Sequence, residues 1–304
     1  MTPINKILLV VAGPTAVGKT DLCINLAKKF NTAIISSDSR QFFREMNVGT
    51  AKPTKKNLEE ADHYLIDNKS IHDSYDVKAF EKDALVLIER LFNEMDMIIL
   101  TGGSGLYIDA VVGGLDEMPP AQPQIREQLN LDYRRIGLVY LQKKLLELDP
   151  DYYAKVDLNN PQRLIRALEV CLSTGKPYSH YRVRERKQRP FRTIKLALCR
   201  EREELYSRIE QRMDAMIRQG LFEEAAGLYP YRRLNALQTV GYQEIFGYME
   251  GDYDKTEAIR LLKRNSRRYA KRQLTWFRRD PDYTWFHPEK STEIISWVTA
   301  QMSR

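Results

Sequence analysis

Six apolar residues, Ile7-Leu8-Leu9-Val10-Val11-Ala12, run straight into Gly13-Pro14-Thr15-Ala16-Val17-Gly18-Lys19-Thr20, and no other stretch limits the fold so tightly. The apolar run predicts a buried strand. Beyond the loop, Asp21 to Phe30 carries Leu22, Leu26 and Ala27 or Phe30 at helical spacing. Strand, glycine-bracketed loop ending in Gly-Lys-Thr, then helix is the order that a phosphate-binding loop requires. Its glycines let successive backbone N–H groups turn inward, and the helix start adds partial positive charge. Lys19 contributes a full charge, and the Thr20 hydroxyl is placed to reach a magnesium ion. At ordinary glycine usage the pattern arises by chance in about one chain in a hundred of this length. The alternative is a tight strand-to-helix turn with an exposed lysine. On the first reading Gly13 to Thr20 hold a phosphate or a diphosphate, and the loop alone leaves open which.

Further strand ends are expected at the same sheet edge. Thr32 to Ser37 reads as a second strand running into Asp38-Ser39-Arg40-Gln41, so an acid follows a strand where ligands bind in open parallel sheets. Asp38 suits a general base, a neighbour of the metal, or an ordinary helix cap. Asp62 to Asp67 suggests another short strand, and Val77 to Glu94 a helix with Phe80, Ala84, Leu87, Ile88 and Leu91 inward. Asp96 to Leu100 is a buried strand ending in a second glycine-rich loop, Gly102-Gly103-Ser104-Gly105. Two glycine loops and one strand-end acid describe a cleft. Asp96 precedes its strand, so the magnesium-holding acid of an ordinary ATPase is missing, which favours transfer reactions over hydrolysis.

Pro119, Pro120 and Pro123 mark a change of character, and residues 115–184 read as an all-helical insertion. Leu138 to Leu148 is one helix there. Asn160-Pro161 opens another, with Leu164, Leu168, Cys171 and Leu172 as its apolar stripe and Arg163 and Arg166 off it. Strand character returns at Thr193 to Cys199. Glu203 to Gln219 is an amphipathic helix on which Arg208 and Arg212 lie one turn apart, Arg212 close enough to the apolar edge to reach into a cleft. Thr239 to Gln243 is a loop or helix start, and Thr256 to Phe277 a long helix.

The net charge is +7, and its distribution says more than its size. Lys263 to Arg279 holds eight basic residues and no acid; Arg182 to Arg202 holds nine against Glu185 and Glu201. Such runs are footprints for polyanions or else solvated helix faces. Tyr269, Trp276 and Phe277, interleaved with the first run, could stack on RNA bases or serve as core. With 43% hydrophobic and 29% charged residues the chain is expected to be a globular protein of the cytoplasm, without a signal peptide or membrane span. Three widely spaced cysteines suit a reducing compartment and offer no metal spacing; the four histidines form no cluster.

Taken together, several stretches carry a resemblance: residues 13–20, Ser-Ser-Asp-Ser-Arg-Gln-Phe-Phe at 36–43, Gly-Thr-Ala-Lys-Pro at 49–53 and Gly-Gly-Ser-Gly-Leu-Tyr at 102–107. Asn-Pro-Gln-Arg-Leu-Ile-Arg-Ala-Leu-Glu at 160–169, Val-Gly-Tyr at 240–242 and Tyr-Ala-Lys-Arg-Gln-Leu-Thr-Trp-Phe at 269–277 complete the set. In this order, over nearly the whole chain, they resemble the tRNA dimethylallyltransferases. The resemblance implies a P-loop NTPase-like α/β core, residues 1–114 and 185–304, with the helical insertion contacting the anticodon stem-loop. It implies transfer of a dimethylallyl group from its diphosphate to N6 of the adenosine 3′ to the anticodon, in tRNAs reading codons that begin with U.

By the same resemblance the loop holds the diphosphate with Mg2+ on Thr20, Asp38 accepts the amine proton, and Lys19 and Arg212 stabilise the leaving diphosphate. Contacts to tRNA would come from Asp38, Ser39, Arg40 and Gln41, from Ser104 and Arg126, and from Gln162, Arg163, Leu164, Ile165 and Arg166. Gln238, Thr239, Val240, Gly241, Tyr242 and Gln243 would complete them. Ser104 stands where many relatives have threonine and keeps the hydroxyl; no Cys-x-x-Cys zinc element follows the last helix. A monomer is expected, because no dimerisation stripe is evident. A kinase using the same loop for ATP, or a prenyltransferase acting on free adenine nucleotide, are the competing readings; neither needs the 160–169 segment or the basic last helix.

Overall fold

The computed structural model describes residues 6–120, 122–183 and 185–303. The chain folds into two compact units. One comprises the chain through Gly113 and again from Gln188; the other is Gly114–Lys187.

The first unit is built on six parallel strands: β1 (Ile7–Ala12), β2 (Ile34–Ser36), β3 (His63–Tyr64), β4 (Met97–Gly102), β5 (Arg192–Leu198) and β6 (Thr284–Phe286). Their order is β3-β2-β4-β1-β5-β6, so β1 is central. All six residues of β1 are buried, as expected for a strand covered on both faces. Period-two alternation then divides them. Leu8, Val10 and Ala12 join one core with Ile98 and Leu100 of β4; Ile7, Leu9 and Val11 join the other with Met97 and Ile99.

The helices of this unit begin with α1 (Lys19–Phe30), α2 (Lys55–Glu60), α3 (Val77–Leu91) and α4 (Gly105–Gly113). In the second unit are α5 (Pro123–Ile136), α6 (Leu138–Leu148), α7 (Pro150–Tyr153) and α8 (Pro161–Thr174). The first unit resumes with α9 (Arg202–Arg218), α10 (Leu221–Leu228), α11 (Tyr242–Glu250), α12 (Lys255–Phe277) and α13 (Ser291–Met302). Periodicity in the sequence does not reveal α10. Gly220, which ends α9, adopts a left-handed φ of 95° and caps α10 after a two-residue break.

In the helical unit the core is Leu129, Leu141, Leu145, Leu164, Ile165 and Leu168 with neighbouring tyrosines. Asn160 caps α8 by accepting from the Arg163 amide at 3.1 Å. The expected apolar stripe is corrected at one position: Leu172 is 39% exposed, whereas Ile165 is fully buried in its place. A stripe drawn at every third or fourth residue cannot choose between adjacent edges of a wide apolar face.

Candidate active site

Because every strand of the sheet is parallel, the ends of β1, β2, β4 and β5 meet at one edge, and a cavity of about 570 Å³ opens there, a volume typical of ligand sites. Thr15 to Asp21, Asp38, Arg40, Gln41, Gly102 and Gly103 line it, joined by Arg208 and Arg212 of α9, Thr239 to Gly241, and Tyr269 and Gln273 of α12.

The loop after β1 is held open from behind. Gly13 and Gly18 adopt φ of 149° and 111°, conformations that favour glycine, and Ala16 sits at φ 63°. Lys19 Nζ donates to the Gly13 and Pro14 carbonyls at 2.9 and 2.8 Å. Arg208 Nε donates to the Ala16 carbonyl and Arg200 Nε to that of Val17, both at 2.9 Å. Arg212 donates to Thr15 Oγ1 at 3.2 Å. With the carbonyls turned onto cations, and no side chain among the described residues capping α1 at Gly18, the amides opening α1 are disposed to receive an anion. Burial pulls the Lys19 pKa down to about 8, the neighbouring Arg212 charge adds to this, and Asp38 opposes it. Burial also lowers the pKa of Arg212, with Asp38 again opposing.

Asp38 follows β2, and its Oδ1 accepts the Arg40 amide at 2.9 Å. It closes a two-residue turn and caps no helix, which removes that alternative. The adjoining residues brace the turn: Ser39 N–H donates to Ser104 Oγ at 3.1 Å, linking the two strand-end loops. Gln41 Nε2 reaches the carbonyls of Thr50 and Ala51, both at 3.2 Å. Arg40 Nε is buried without a partner among the described residues. Tyr269 is pushed up to about 12, first by burial and then by the Asp38 charge, so it presents a neutral hydroxyl to the cavity.

Sequence patterns give no hint of how the 47–50 loop is held. Glu224, on α10, accepts the amides of Asn47, Val48 and Gly49 at 2.8–2.9 Å and the Tyr242 hydroxyl at 2.6 Å. A carboxylate filling a cluster of backbone N–H groups leaves no local spacing to detect.

Of the expected tRNA contacts, Thr239, Val240 and Gly241 line the cavity, while Gln238 and Gln243 are exposed and hydrogen-bonded to each other at 2.9 Å. Arg126 and Arg166, in the helical unit, both bond Glu169 Oε2, at 3.1 and 3.0 Å; Gln162 and Arg163 lie at that unit's surface. Three expectations need correction. Leu164, Ile165 and Tyr242 are completely buried within their units and present no surface to an RNA. Their polar neighbours Gln162, Arg163 and Gln243 are exposed residues of these stretches. The Arg182–Arg202 run is also no free polyanion footprint: Arg189 pairs with Glu81, Lys195 with Asp280 and Arg200 with Glu204. Arg184 lies outside the described residues.

Fold and cleft together define a phosphate-loop α/β protein. The chain belongs to the IPP transferase family, whose model matches residues 41–280. It is 50% identical to the tRNA dimethylallyltransferase of Cytophaga hutchinsonii over 99% of both chains, and 49% identical to that of Christiangramia forsetii over 97% of this chain and 98% of that one. Among solved structures, the tRNA isopentenylpyrophosphate transferase of Bacillus halodurans is similar with a TM-score of 0.73 and 37% identity, over 98% of this chain and 97% of that one. A eukaryotic dimethylallyltransferase acting on tRNA is similar with a TM-score of 0.71 at 26% identity, over 89% of this chain and 69% of that one.

Proposed function

We infer that this protein transfers a dimethylallyl group from dimethylallyl diphosphate to a tRNA, at N6 of the adenosine 3′ to the anticodon in tRNAs reading codons that begin with U. The observation that carries the reading is the meeting, in one cavity, of a phosphate loop, a strand-end acid and two cations that have no carboxylate partner among the described residues. The N6 lone pair attacks C1 of the allyl group, the C1–O bond breaks with its electrons leaving on the diphosphate, and Asp38 takes the N6 proton. An exocyclic amine whose lone pair is delocalised into the purine is a poor nucleophile. A hydrogen-bonded carboxylate is worth about 10²–10⁴-fold there. Lys19, Arg212 and the α1 amides are aimed at the charge that grows on the departing diphosphate.

The donor set fits Mg2+: the Thr20 hydroxyl and Asp21 carboxylate are exposed oxygens at the cavity. Mg2+ keeps most of its shell as water and substrate oxygen, so Thr20 suffices as its protein anchor. Such an ion would neutralise charge on the leaving group. To be reached inside this cavity, the adenine must leave its stack. The exposed Arg268, Lys271 and Arg272 of α12 supply phosphate contacts for the RNA, as do Arg126, Arg163 and Arg166 on the helical unit. Among the described residues no helix is long and apolar enough to cross a membrane. A monomer working in the cytoplasm completes the proposal.

Incubation with labelled dimethylallyl diphosphate and either unmodified tRNA or AMP tests it. Label should enter tRNA; label in AMP alone would overturn the reading.

A further inference from the structure

Gln273 lies on the inner face of α12, 6% exposed, and both ends of its amide are used. Its Oε1 accepts the Thr15 amide at 2.9 Å, and its Nε2 donates to the Gly103 carbonyl at 3.0 Å. One partner is donor-only and the other acceptor-only, which fixes the amide's orientation. The side chain therefore stitches the phosphate loop after β1 to the second glycine loop after β4. Gly103 has a reason in the same contact. A Cβ there would collide with Gln273 Nε2, so only glycine lets the amide approach.

We propose that Gln273 is a positioning residue for the diphosphate site, setting the direction of the Thr15 peptide and through it the place of Arg212. Thr15 joins the two contacts. Its N–H is held by Gln273 while its Oγ1 receives the Arg212 guanidinium. The neighbouring Ala16 sits in a left-handed conformation at φ 63°, which alanine adopts only when its surroundings impose it. With the Thr15 N–H tied, the loop keeps this shape before any ligand arrives. Without the tie, the part-buried Thr15 donor and the buried Gly103 acceptor both lose their partner, and the loop can relax by turning the Thr15 peptide. The Arg212 hydroxyl contact would turn with it. The role rests on the diphosphate-holding function inferred above, and Gln273 itself touches no reacting atom.

The test is binding of inorganic pyrophosphate to the full chain, measured by calorimetry, beside tRNA binding and prenyl transfer. Gln273→Met keeps the length of the side chain and removes both hydrogen bonds. It should weaken pyrophosphate binding about tenfold or more, the scale of one unsatisfied buried group, and leave tRNA affinity within about twofold. Gln273→Glu supplies a pH signature. As a carboxylate it repels the Gly103 carbonyl; once protonated it regains one donor and one acceptor in the same shape. Its pyrophosphate affinity, taken as a ratio to wild type at each pH, should recover as pH falls. Gly103→Ala should mimic Gln273→Met, and the double variant should be no worse than either alone. Unchanged pyrophosphate affinity in Gln273→Met overturns the proposal. If that variant does not fold, a pH-independent ratio for Gln273→Glu overturns it instead. Loss of pyrophosphate affinity in Gln273→Met, alongside a wild-type protein that fails to prenylate tRNA, would uphold Gln273 and sink the reaction.

Discussion

Two groups of cations in the first unit are handled in opposite ways. Around the phosphate loop, Lys19, Arg208 and Arg212 are held by the Gly13, Pro14 and Ala16 carbonyls and the Thr15 hydroxyl, and none forms an ion pair among the described residues. Along the return into β5, Arg189 meets Glu81 at 2.6 Å, Lys195 meets Asp280 at 2.7 Å, and Arg200 is shared by Glu204 and Glu289. A carbonyl satisfies a donor without cancelling its charge, whereas a carboxylate cancels it. The first group keeps its field for an incoming anion; the second spends it on the fold. Arg200 stands at the border, donating Nε to the Val17 carbonyl while its Nη1 meets both Glu204 and Glu289.

The contrast breaks most sharply where the cleft has its one strand-end acid. Asp38→Ala should lower turnover about 10²–10⁴-fold while pyrophosphate and tRNA binding persist; transfer near the wild-type rate in a single-turnover assay would remove Asp38 as the base. Arg189→Ala should do the reverse. It leaves the nearly buried Glu81 without its partner, costs about 3 kcal/mol in denaturant unfolding, and leaves the rate of the folded fraction unchanged. Arg212→Ala should reduce turnover about 10²–10³-fold, the range for one donor to developing oxyanion charge, with little change in melting temperature. Were Arg212→Ala to alter tRNA affinity alone, the separation between the two groups of cations would fail at its main member.

How much of this is legible in the sequence follows the same divide. The loop at 13–20, the acid at 38 and the glycines at 102–105 are readable because a strand followed by a phosphate loop is local in sequence, and parallel pairing brings strand ends to one edge. The basic run at 182–202 looks as much like a polyanion site as the run at 263–279. What separates them is the position of Glu81 and Asp280, residues that spacing within the run cannot locate. Even the second run is partly internal: Lys263 reaches Asp214 at 2.6 Å and Arg267 reaches Glu210, tying α12 to α9. Glu224 and Gln273 give no signal for the same reason, since each works on backbone more than 150 residues distant. Burial of Leu164 and Ile165 shows the limit of carrying a contiguous contact stretch over whole: on a helix, neighbours in sequence do not all share the exposed face.

The smallest effect reports most directly on an unpaired cation. Lys19 has its pKa depressed to about 8 in the ligand-free protein, because burial and Arg212 outweigh Asp38. Diphosphate favours the ammonium form. Below pH 8 that form is already present and binding takes up little proton; above it each bound ligand must draw a proton from solvent. Pyrophosphate affinity should therefore fall as pH rises past about 8, at most about tenfold per unit, with proton uptake climbing toward one in calorimetry across buffers of different ionisation heat. Subtracting the same series for Lys19→Met removes the ligand's own titration. The stability sign is opposite. The unfolded lysine keeps its proton to higher pH than the folded one, so between about 8 and the ordinary lysine range the Lys19 contribution to stability rises with pH. If Lys19→Met leaves the pH series for pyrophosphate unchanged, the charge held over the Gly13 and Pro14 carbonyls is not the one that receives the anion.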